Sequence, residues 1–559
     1  MTIEIFQPSS KFVTRIKSTF ALQLDNWNDH SFMTLYHLYY KHGPDEADVT
    51  FIGGVKILRK GQTKKDLSLI TKPFEMLDPE YVSVGTSLDY YQRLNEIPVG
   101  RRQNIIRALN DVVGNPDLVE EFKDQDGWAI SLFRDNQDWQ GFLQDAGILY
   151  EGNFAALPDI DAKFSFHANK KTERIDFNFS SPEPDSYDGP YRRIGPSRKE
   201  TLLPDRIIVL VGRNGSGKST LLSRLARVAF ASPQERKSKE IKSLGVLDPQ
   251  SIGFMRVITI SYSAFDSFVV PGLASRDLSQ ISEDIENGTG RFVFCGLRDI
   301  VAEVRNDLAA SERIDADKIF EDESNINIDR RLSTCLKSIE TLAKEFGRLV
   351  SRIRKSNLKD LFSAALKPLL GDPSFIELNT QVDDLLDAEP AHAARLFLTW
   401  STGHKIVLHV IASLVANVKP RSLILFDEPE MHLHPPLMAA LMHSVRLVLS
   451  EQNAFCVVAT HSPVLLQETL AQHVRYVRRV GDNLEIRTPD LETFGENVGV
   501  ITYNSFGLTA SSADYHKILD LLVKGCESPE EIESAFSKGL SAQARAFINA
   551  KFIKKIKDQ

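Results

Sequence analysis

The segment RIIVLVGRNGSGKSTLLSRL, residues 206–225, constrains the fold more than any other part of the chain. Its apolar run, residues 207–211, predicts a buried parallel strand, and an amphipathic helix is predicted to follow. Between them, residues 212–219 fit the pattern G-x-x-x-x-G-K-[ST] and are called the phosphate loop below. Strand, glycine-rich turn, Lys-Ser pair and helix in this order are typical of a backbone nest that holds phosphate oxygens. We therefore expect a nucleoside triphosphate site.

Individual residues of the phosphate loop have separate expected roles. Lys218 would reach the β- and γ-phosphates, and the Ser219 hydroxyl would ligate Mg²⁺. The alternative is a glycine-rich strand-to-helix turn without a ligand. The predicted nucleotide-binding residues here are Asn214, Gly215, Ser216, Gly217, Lys218, Ser219 and Thr220.

Composition limits the class of protein. A chain of 559 residues can bury more than one core, and its 42% hydrophobic and 25% charged residues are ordinary for a globular protein. No apolar run is long enough to cross a membrane, and the N-terminus lacks the layout of a signal peptide, so we expect a cytoplasmic protein. Four scattered cysteines without a C-x-x-C pair argue against zinc or a disulfide framework. The net charge of −8 argues against a nucleic-acid-binding surface that is basic all over, but it is compatible with a local basic groove.

Two further apolar runs end in polar side chains suited to ATP hydrolysis. LILFDEPE, residues 423–430, places Asp427 and Glu428 at a strand end, and the run 455–459 is followed by Thr460 and His461. Ligands of open α/β sheets collect at the carboxyl ends of strands, so these residues are predicted beside the phosphate loop.

The predicted roles divide into metal ligands and catalytic groups. Ser219 and Asp427 are the candidate Mg²⁺ ligands, whereas Lys218, Glu428 and His461 are the candidate catalytic residues. Glu428 would polarise the attacking water, and His461 would sense the γ-phosphate. Taken alone, an acidic pair or a histidine at a strand end is more often structural.

The combined motifs resemble an ABC/SMC-type ATPase head. The resemblance lies in GRNGSGKS, a variant signature STGHK, LILFDEPE and VVATHS. It implies an α/β fold, a mixed sheet flanked by helices, with a helical or short coiled-coil insertion and a small C-terminal helical region. It also implies ATP and Mg²⁺ as cofactors and a head-to-tail homodimer or larger homo-oligomer. In such a dimer, Ser401 and Gly403 would close over the γ-phosphate that the partner subunit holds.

Three departures from that family's pattern concern these motifs. The signature has Thr402 and His404 where many relatives have glycine and an acidic or amide residue. The sequence SYSAF, residues 261–265, occupies the place of the usual glutamine loop. His434 replaces the usual aspartate after the LILFDEPE segment.

A finer resemblance concerns LDNWNDHSF, SYSAFDSF and TFGENVGVITYNSFGL, which are similar to the ATPase subunit of Septu anti-phage systems, including retron-associated versions. This implies an HNH nuclease subunit as partner and, in retron versions, a reverse transcriptase and its DNA. The ATPase would then regulate the nuclease in anti-phage defence. The alternative is an SMC/RecF-like DNA-repair ATPase that clamps DNA through its own arm.

The chain divides into five predicted segments: a β-rich, then helical N-terminal lobe (1–160), a first ATPase part (161–271), a helical insertion or arm (272–390), a second ATPase part (391–490) and a C-terminal helical region (491–559). In the insertion, the 3-4 spacing from Leu332 to Ile353 fits either one helix packed on its neighbours or a short antiparallel arm.

Local patterns predict several smaller features. The aromatic row in residues 31–40 has helical spacing, and two alternating runs at 164–166 and 175–179 predict a hairpin. Tyr187 and Tyr191 are candidates for stacking on adenine. Ser528 followed by Pro-Glu-Glu predicts the start of a helix.

Overall fold

The computed structural model describes residues 1–7, 15–25, 32–43, 49–63, 66, 70–134, 139–151, 163–168, 173–180, 203–231, 235–250, 252–271, 285, 288, 290–311, 329–331, 333–376, 385, 388–481, 483–506 and 514–557. Tyr187 and Tyr191 lie outside these residues.

The N-terminal part is a sheet followed by helices. Its elements are β1 Ile3–Phe6, β2 Phe20–Leu24, β3 Leu35–Lys41, β4 Val49–Arg59, β5 Tyr81–Gly85, α1 Leu88–Glu96, α2 Val99–Ala108, α3 Leu118–Phe122 and α4 Trp139–Glu151. The strands form a sheet in the order β1-β2-β3-β4-β5, with β1 and β2 parallel and the others antiparallel. Buried side chains from this sheet and these helices form one hydrophobic core.

The helix predicted in residues 31–40 is wrong, because Leu35–Lys41 is the strand β3. Tyr36, Leu38 and Tyr40 are buried while the residues between them are partly exposed. The aromatic row satisfies both a helical and a two-residue period. The strand forms because aromatic side chains suit a half-buried pleated surface and β2 and β4 supply hydrogen-bonding partners on both sides.

The middle of the chain supplies a second set of strands and helices. Its first elements are β6 Lys163–His167, β7 Ile175–Asn178, β8 Ile207–Val211, α5 Lys218–Phe230, α6 Lys239–Leu244, β9 Val246–Asp248, β10 Val257–Ser261, β11 Phe292–Gly296 and α7 Ile300–Ser311. They are followed by α8 Ile339–Lys355, α9 Lys359–Leu370, α10 Pro373–Ile376, α11 Pro390–Thr399, α12 Thr402–Asn417, β12 Leu423–Asp427, α13 Pro435–Glu451, β13 Phe455–Thr460, α14 Pro463–Gln467, β14 Val474–Val480 and β15 Asn483–Arg487.

Within the described ranges, seven strands form the central sheet in the order β11-β10-β12-β13-β8-β14-β15. All neighbouring pairs are parallel except β14 with β15. Buried helices cover both faces of this sheet. The fold is therefore the mixed α/β sheet flanked by helices that the sequence predicts, and the carboxyl ends of β10, β12, β13 and β8 lie along one edge.

The predicted hairpin is confirmed. Strands β6 and β7 pair antiparallel, and β9 joins them on the other side of β6 as a small separate sheet. Its phenylalanines pack against the face of the central sheet that carries α5. The small sheet is thereby held next to the phosphate loop.

The stretch predicted as a helical insertion is more closely built into the core than the sequence suggests. Strand β11, within it, pairs along its whole length with β10 at the edge of the central sheet. Phe346, Leu349 and Ile353 of α8 are buried in the same core as α12 and α13. Of the two alternatives for the spacing from Leu332 to Ile353, the structure shows a helix packed on its neighbours, but this helix begins at Ile339, Cys335 precedes it and Leu332 lies outside the described residues.

The end of the chain is helical. It contains α15 Val498–Phe506, α16 Asp514–Gly525, α17 Pro529–Ser534 and α18 Ala542–Lys557. The predicted helix start at Ser528 is confirmed, because its side chain accepts a hydrogen bond from the Glu531 N–H at the beginning of α17. The described helices include none long and apolar enough to cross a membrane.

A partly buried ion pair joins the N-terminal part to the central sheet. The guanidinium of Arg256, immediately before β10, donates to Glu96 at the end of α1 at 3.0 Å. Arg256 also donates to the Asn417 carbonyl at the end of α12. The N-terminal part therefore contacts the amino ends of the strands, opposite the edge where the phosphate loop lies.

Polar side chains buried under α12 form a connected cluster. The His409 ring lies 2.5 Å from the Tyr262 hydroxyl through Nδ1 and 3.5 Å from Glu345 through Nε2, and Lys337 bonds Glu345 at 2.6 Å. Burial alone would lower the pKa of His409, but Cys295 and Glu345 beside it raise the pKa to about 9. A charged His409 can donate to both Tyr262 and Glu345, which suits these contacts.

This cluster predicts a pH-dependent contribution to stability. The pKa of His409 is about 9 in the folded protein, against about 6.5 for an unfolded histidine. Its protonation therefore stabilises the folded state fully below pH 6.5, and this contribution is lost as the pH rises through 9. His409→Gln removes this term. In urea unfolding, the stability difference between wild type and variant should shrink by on the order of 1 kcal/mol or more as pH rises from 6.5 to 9.

The matched control is His443→Gln, which removes a half-exposed pair with Glu468. This variant should stay within about 0.5 kcal/mol of wild type throughout. A His409→Gln difference that stays constant with pH would contradict the assignment of a charged, buried His409.

Candidate functional site

The phosphate loop has the backbone geometry that its glycines predict. Gly215 and Gly217 have φ values of +76° and +97°, in the left-handed region that favours glycine. A Cβ on Gly212 would lie 2.2 Å from the Val477 carbonyl oxygen of β14, so the loop passes too close to that strand for any side chain. The helix α5 begins directly after Gly217, with its N-terminus at the loop. An anion in the loop would face the backbone N–H groups at the start of α5 and the positive end of the helix dipole.

Lys218 is buried and lies at the centre of the site. Its Nζ donates to the Gly212 carbonyl at 2.9 Å and the Arg213 carbonyl at 3.3 Å, and it lies 3.0 Å from His461 Nε2. Burial lowers the pKa of Lys218 to about 8, although nearby carboxylates act in the opposite direction. The ammonium is thus held by neutral groups, and an incoming phosphate would be a stronger partner.

Ser219 and Asp427, the two candidate metal ligands, lie together. The Ser219 hydroxyl donates to Asp427 Oδ1 at 3.0 Å. Burial, together with the nearby carboxylates of Glu428 and Asp266, raises the pKa of Asp427 to about 7 despite this bond. A cation would relieve that unfavourable charge.

A small cavity of about 30 Å³ adjoins this pair. Its polar lining includes Ser219, Thr259, Ser261, Asp266 and Asp427. In the part of the chain that the structure describes, the buried hydroxyl oxygens of Thr259 and Ser261 have no hydrogen-bond partner. Apolar side chains and Arg298 make up much of the remaining lining, so the oxygens that suit Mg²⁺ are those of Ser219 and Asp427 at the edge of the cavity.

Glu428 and His461 lie close to each other, and His461 also contacts Lys218. Glu428 Oε1 lies 3.4 Å from His461 Nε2, and hydrogen bonding to His461 lowers the pKa of Glu428. The same nitrogen contacts Lys218 at 3.0 Å, so it can either accept from the lysine or donate to the carboxylate. Glu428 has a φ of +50°, and its N–H donates to the Ala459 carbonyl, which fixes this bend between β12 and β13.

Glu430 is a residue of the site that sequence reasoning missed. Its carboxylate accepts from the Thr460 hydroxyl at 2.9 Å and from the His461 backbone N–H at 2.5 Å. It therefore positions His461 relative to Glu428. The sequence could have indicated Glu430 as a site residue, because it lies two residues after Glu428 in the DEPE segment.

Ser261 and Asp266 were also missed as site residues. Ser261 ends β10 opposite Asp427 in the sheet register, in the stretch where a glutamine loop was sought. Asp266 bonds the buried Arg298 at 3.2 Å, and Arg298 also pairs with Glu303 at 2.7 Å. Neither residue belongs to a motif with a readable spacing, because their proximity to Asp427 arises only from pairing of β10 with β12.

The signature residues lie elsewhere on the molecule. Ser401 is the N-cap of α12 and accepts from the His404 N–H at 3.3 Å. Among the described residues, no hydrogen bond or ion pair joins Ser401 or Gly403 to the phosphate loop. Gly403 instead lies against the His432 carbonyl, since a Cβ there would be 3.4 Å from that oxygen.

His404 and His434, the two departures near the signature, face one carboxylate. His404 Nε2 lies 3.1 Å from the Ser374 hydroxyl, and Ser374 donates to Asp372 at 2.6 Å. His434 lies 3.9 Å from Asp372. These contacts tie α10, the signature and the segment after β12 into one surface.

The phosphate loop has a further unsatisfied group that suits a nucleotide. Ser216 Oγ is buried in the loop without a hydrogen-bond partner among the described atoms. A phosphate or a metal-bound water would satisfy it. In the described part of the chain, no group of three or more His, Cys, Asp or Glu side chains is arranged to hold a metal ion by itself.

Comparison with known proteins agrees with this geometry. Residues 309–467 match the family described as "AAA domain, putative AbiEii toxin, Type IV TA system". The match spans the signature, β12 and β13, and the phosphate loop precedes it on the adjacent strand β8. The chain has the fold of a P-loop ATPase. The chain is also 28% identical to Protein ea59 of Escherichia phage lambda over 571 aligned residues, which cover 96% of this chain and 95% of that protein.

Substitution of Glu428 tests its part in the ATPase domain. Glu428→Gln keeps the size of the side chain but removes the carboxylate that can orient water. Steady-state ATP hydrolysis should fall by about 10²- to 10⁴-fold while ATP binding is retained. Glu451→Gln, at the exposed end of α13, is the matched control and should hydrolyse ATP like wild type. Near-normal turnover of Glu428→Gln would exclude this residue as the catalytic carboxylate.

Proposed function

We propose that the ATPase domain works as an ATP-dependent switch in a head-to-tail dimer and regulates a partner HNH nuclease in anti-phage defence. The observation that carries the ATPase part is the meeting of Lys218, Asp427, Glu428 and His461 at the carboxyl ends of three adjacent strands. These groups are a cation, a metal ligand, a candidate base and a hydrogen-bonding ring within a few ångströms of one another.

Each residue has one role in the proposed reaction. The loop N–H groups and Lys218 bind the β- and γ-phosphates. Glu428 orients the attacking water and accepts its proton, and His461 holds the γ-phosphate from the other side. Bound Mg²⁺ would supply charge neutralisation at the Ser219–Asp427 pair.

Nucleotide binding would also change the contacts of His461. When phosphate draws the Lys218 ammonium toward itself, Nε2 of His461 loses its nearest donor. The ring can then donate to Glu428 or to the phosphate. Glu430 keeps the backbone of His461 in place during this exchange.

Exposure of the signature supports the dimer. Ser401 and Thr402 are exposed, and the bonds of Ser401 to other described residues are those to the His404 and Lys405 N–H groups of its own helix start. In the proposed dimer, Ser401 and Gly403 complete the partner's site. The Asp372, His404 and His434 surface would lie beside that junction.

The defence role rests on resemblance. The segments similar to the Septu ATPase subunit imply an HNH nuclease partner and, in retron versions, a reverse transcriptase with its DNA. The description of the matched family as a toxin of a type IV toxin–antitoxin system supports an ATPase that controls a damaging activity. The alternative, a DNA-repair ATPase that clamps DNA through its own arm, predicts ATP-dependent topological retention of circular DNA by this chain alone.

Complementation between two inactive variants tests the dimer. Lys218→Ala disables the loop, and Ser401→Arg disables the signature. A mixed dimer keeps one site with both native halves, so mixing equal amounts should restore up to roughly a quarter of wild-type hydrolysis. The control mixes Lys218→Ala with Glu428→Gln, whose lesions both lie on the loop side, and should restore nothing. Confirmed mixed dimers without recovery would contradict the head-to-tail arrangement.

Co-expression with the candidate HNH subunit tests the regulation. The purified chain alone should hydrolyse ATP without cleaving DNA or RNA in Mg²⁺ or Mn²⁺, and nuclease activity should require the second polypeptide. ATP should restrain that activity for wild type but not for Lys218→Ala. A tight switch requires the two states to differ in partner affinity by about 5.5 kcal/mol. Nuclease activity that is the same with and without ATP, and the same with wild type and with Lys218→Ala, would contradict this part of the proposal.

A further inference from the structure

An open groove adjoins the phosphate loop on the side of β14. Its volume is about 1360 Å³, and it is bordered by residues 211–216, by the β14–β15 hairpin and by α15. Strand β14 passes directly beside the loop, because a Cβ on Gly212 would meet the Val477 carbonyl oxygen. We call this space the β14 groove. The loop forms one of its walls, so a ligand bound to the loop also borders the groove.

The groups suited to the terminal phosphate lie on the other side of the loop. The central sheet runs in the order β12-β13-β8-β14, with Asp427 at the end of β12 and His461 directly after β13. The Nζ atom of Lys218 lies on that side, 3.0 Å from His461 Nε2. With its γ-phosphate there, a triphosphate that crosses the loop carries its α-phosphate toward β14. The groove lies at that end.

The arginines of the groove do not form a basic track. Arg174 pairs with Asp176 at 2.8 Å, and Arg487 donates to Glu485 at 3.1 Å. Arg475 is buried and donates to three backbone carbonyls. Most of these guanidinium groups therefore serve the protein itself and are not available to a long polyanion.

Carboxylates share the same space. Glu492 accepts hydrogen bonds from backbone N–H groups, and Glu496 accepts from the Asn497 N–H at 2.6 Å. Asp490 is exposed, and no hydrogen bond or ion pair joins it to another described residue. A bound group that is mostly uncharged suits this balance of charges better than a chain of phosphates does.

Arg479 lies against the phosphate loop. Its Nη2 would be 3.8 Å from a Cβ on Gly217, the residue before the N-terminus of α5. Arg479 is exposed, and among the residues that the structure describes it has no hydrogen-bond or ion-pair partner. A phosphate in the loop would supply such a partner. This place suits the phosphate farthest from Glu428, which is the one that carries the ribose.

Apolar side chains also line the groove. Pro489, Leu491 and Val500 lie along it, and Leu491 and Val500 are 57% and 39% exposed. Thr488 and Asn504 are exposed polar residues of the same lining. Ligand sites typically combine apolar surface with a few polar groups. A flat base can cover the apolar side chains, and ribose hydroxyls can bond the polar ones.

We propose that the β14 groove holds the ribose and base of the nucleotide, with Arg479 on the phosphate next to the ribose and the base against Leu491 and Val500. This inference rests on the ATPase part of the proposed function and adds the place of the nucleoside. The covalent bond to the phosphates selects the occupant, because it keeps the nucleoside within reach of the loop. The groove is large enough, since small-molecule sites measure about 300–1,000 Å³ and this one includes space along the loop.

Calorimetric titration of the full chain with two ligands tests the proposal. The ligands are a non-hydrolysable ATP analogue and inorganic tripolyphosphate, both with Mg²⁺. Both carry phosphates that the loop can hold, but only the ATP analogue carries a nucleoside. Wild type should bind the ATP analogue at least about 10-fold more tightly, because only the nucleoside covers apolar surface.

Variants of the groove separate its two parts. Leu491→Ala with Val500→Ala should weaken the ATP analogue on the order of 10-fold and leave tripolyphosphate unchanged. The matched control is Val480→Ala with Ile553→Ala, which truncates two exposed apolar side chains outside the groove and should bind both ligands like wild type. Arg479→Ala should weaken both ligands by about 10-fold, because it removes a phosphate partner. Urea unfolding of each variant checks that the fold is intact.

Photolabelling of wild type with 8-azido-ATP locates the base directly. Irradiation attaches the base to the side chains next to it, and mass spectrometry of the peptides identifies them. The label should appear within residues 486–504, and an excess of ATP should prevent it. Label confined to other parts of the chain would overturn the proposal.

The groove and the proposed ATPase function fail in different ways. The groove proposal is overturned, while nucleotide binding at the loop stands, if the folded Leu491/Val500 variant binds the ATP analogue as tightly as wild type does. Unchanged binding of both ligands to Arg479→Ala would contradict the placement of the phosphate next to the ribose. If wild type binds neither ligand, the proposed ATPase function fails, and this inference fails with it.

Discussion

The site depends on burying the ammonium group of Lys218 next to the phosphate loop. A buried charge is costly unless it is well solvated by the protein, and here two carbonyl oxygens and an imidazole provide that solvation. Burial lowers the pKa of Lys218 to about 8, which shows that neutral partners do not fully replace water. Phosphate would compensate the charge directly. The incomplete solvation of the Lys218 ammonium lowers the stability of the fold, and the same incomplete solvation favours anion binding.

That arrangement requires a particular order and register of strands. Strand β13 lies between β8 and β12, pairing Thr460 with Val211 and Ala459 with Asp427. Insertion of β13 brings His461 between Lys218 and Glu428, and Glu430 fixes it there. A shift of one residue would turn each side chain to the other face of the sheet. Sheet pairing is thus the physical origin of the catalytic geometry.

The sequence predicted the parts of the site that belong to motifs. The phosphate loop, Asp427, Glu428 and His461 could be read because buried strands and the polar residues after them have fixed spacing. The helix predicted for residues 31–40 was wrong because the aromatic row fits both a helical and a two-residue period. Only pairing with neighbouring strands decides between the two. Ser261 and Asp266 had no such spacing. Their relation to the site arises from strands that are distant in sequence, so one sequence alone could not reveal it.

Calorimetric titration with a non-hydrolysable ATP analogue and Mg²⁺ tests the central claim most directly. Wild type should bind about one nucleotide per chain, and Lys218→Ala should bind roughly 10- to 100-fold more weakly, because charge-assisted hydrogen bonds are lost. Lys524→Ala, which removes an exposed lysine of α16, should match wild type. Equal affinity of wild type and Lys218→Ala would contradict the claim that this buried lysine holds the phosphates.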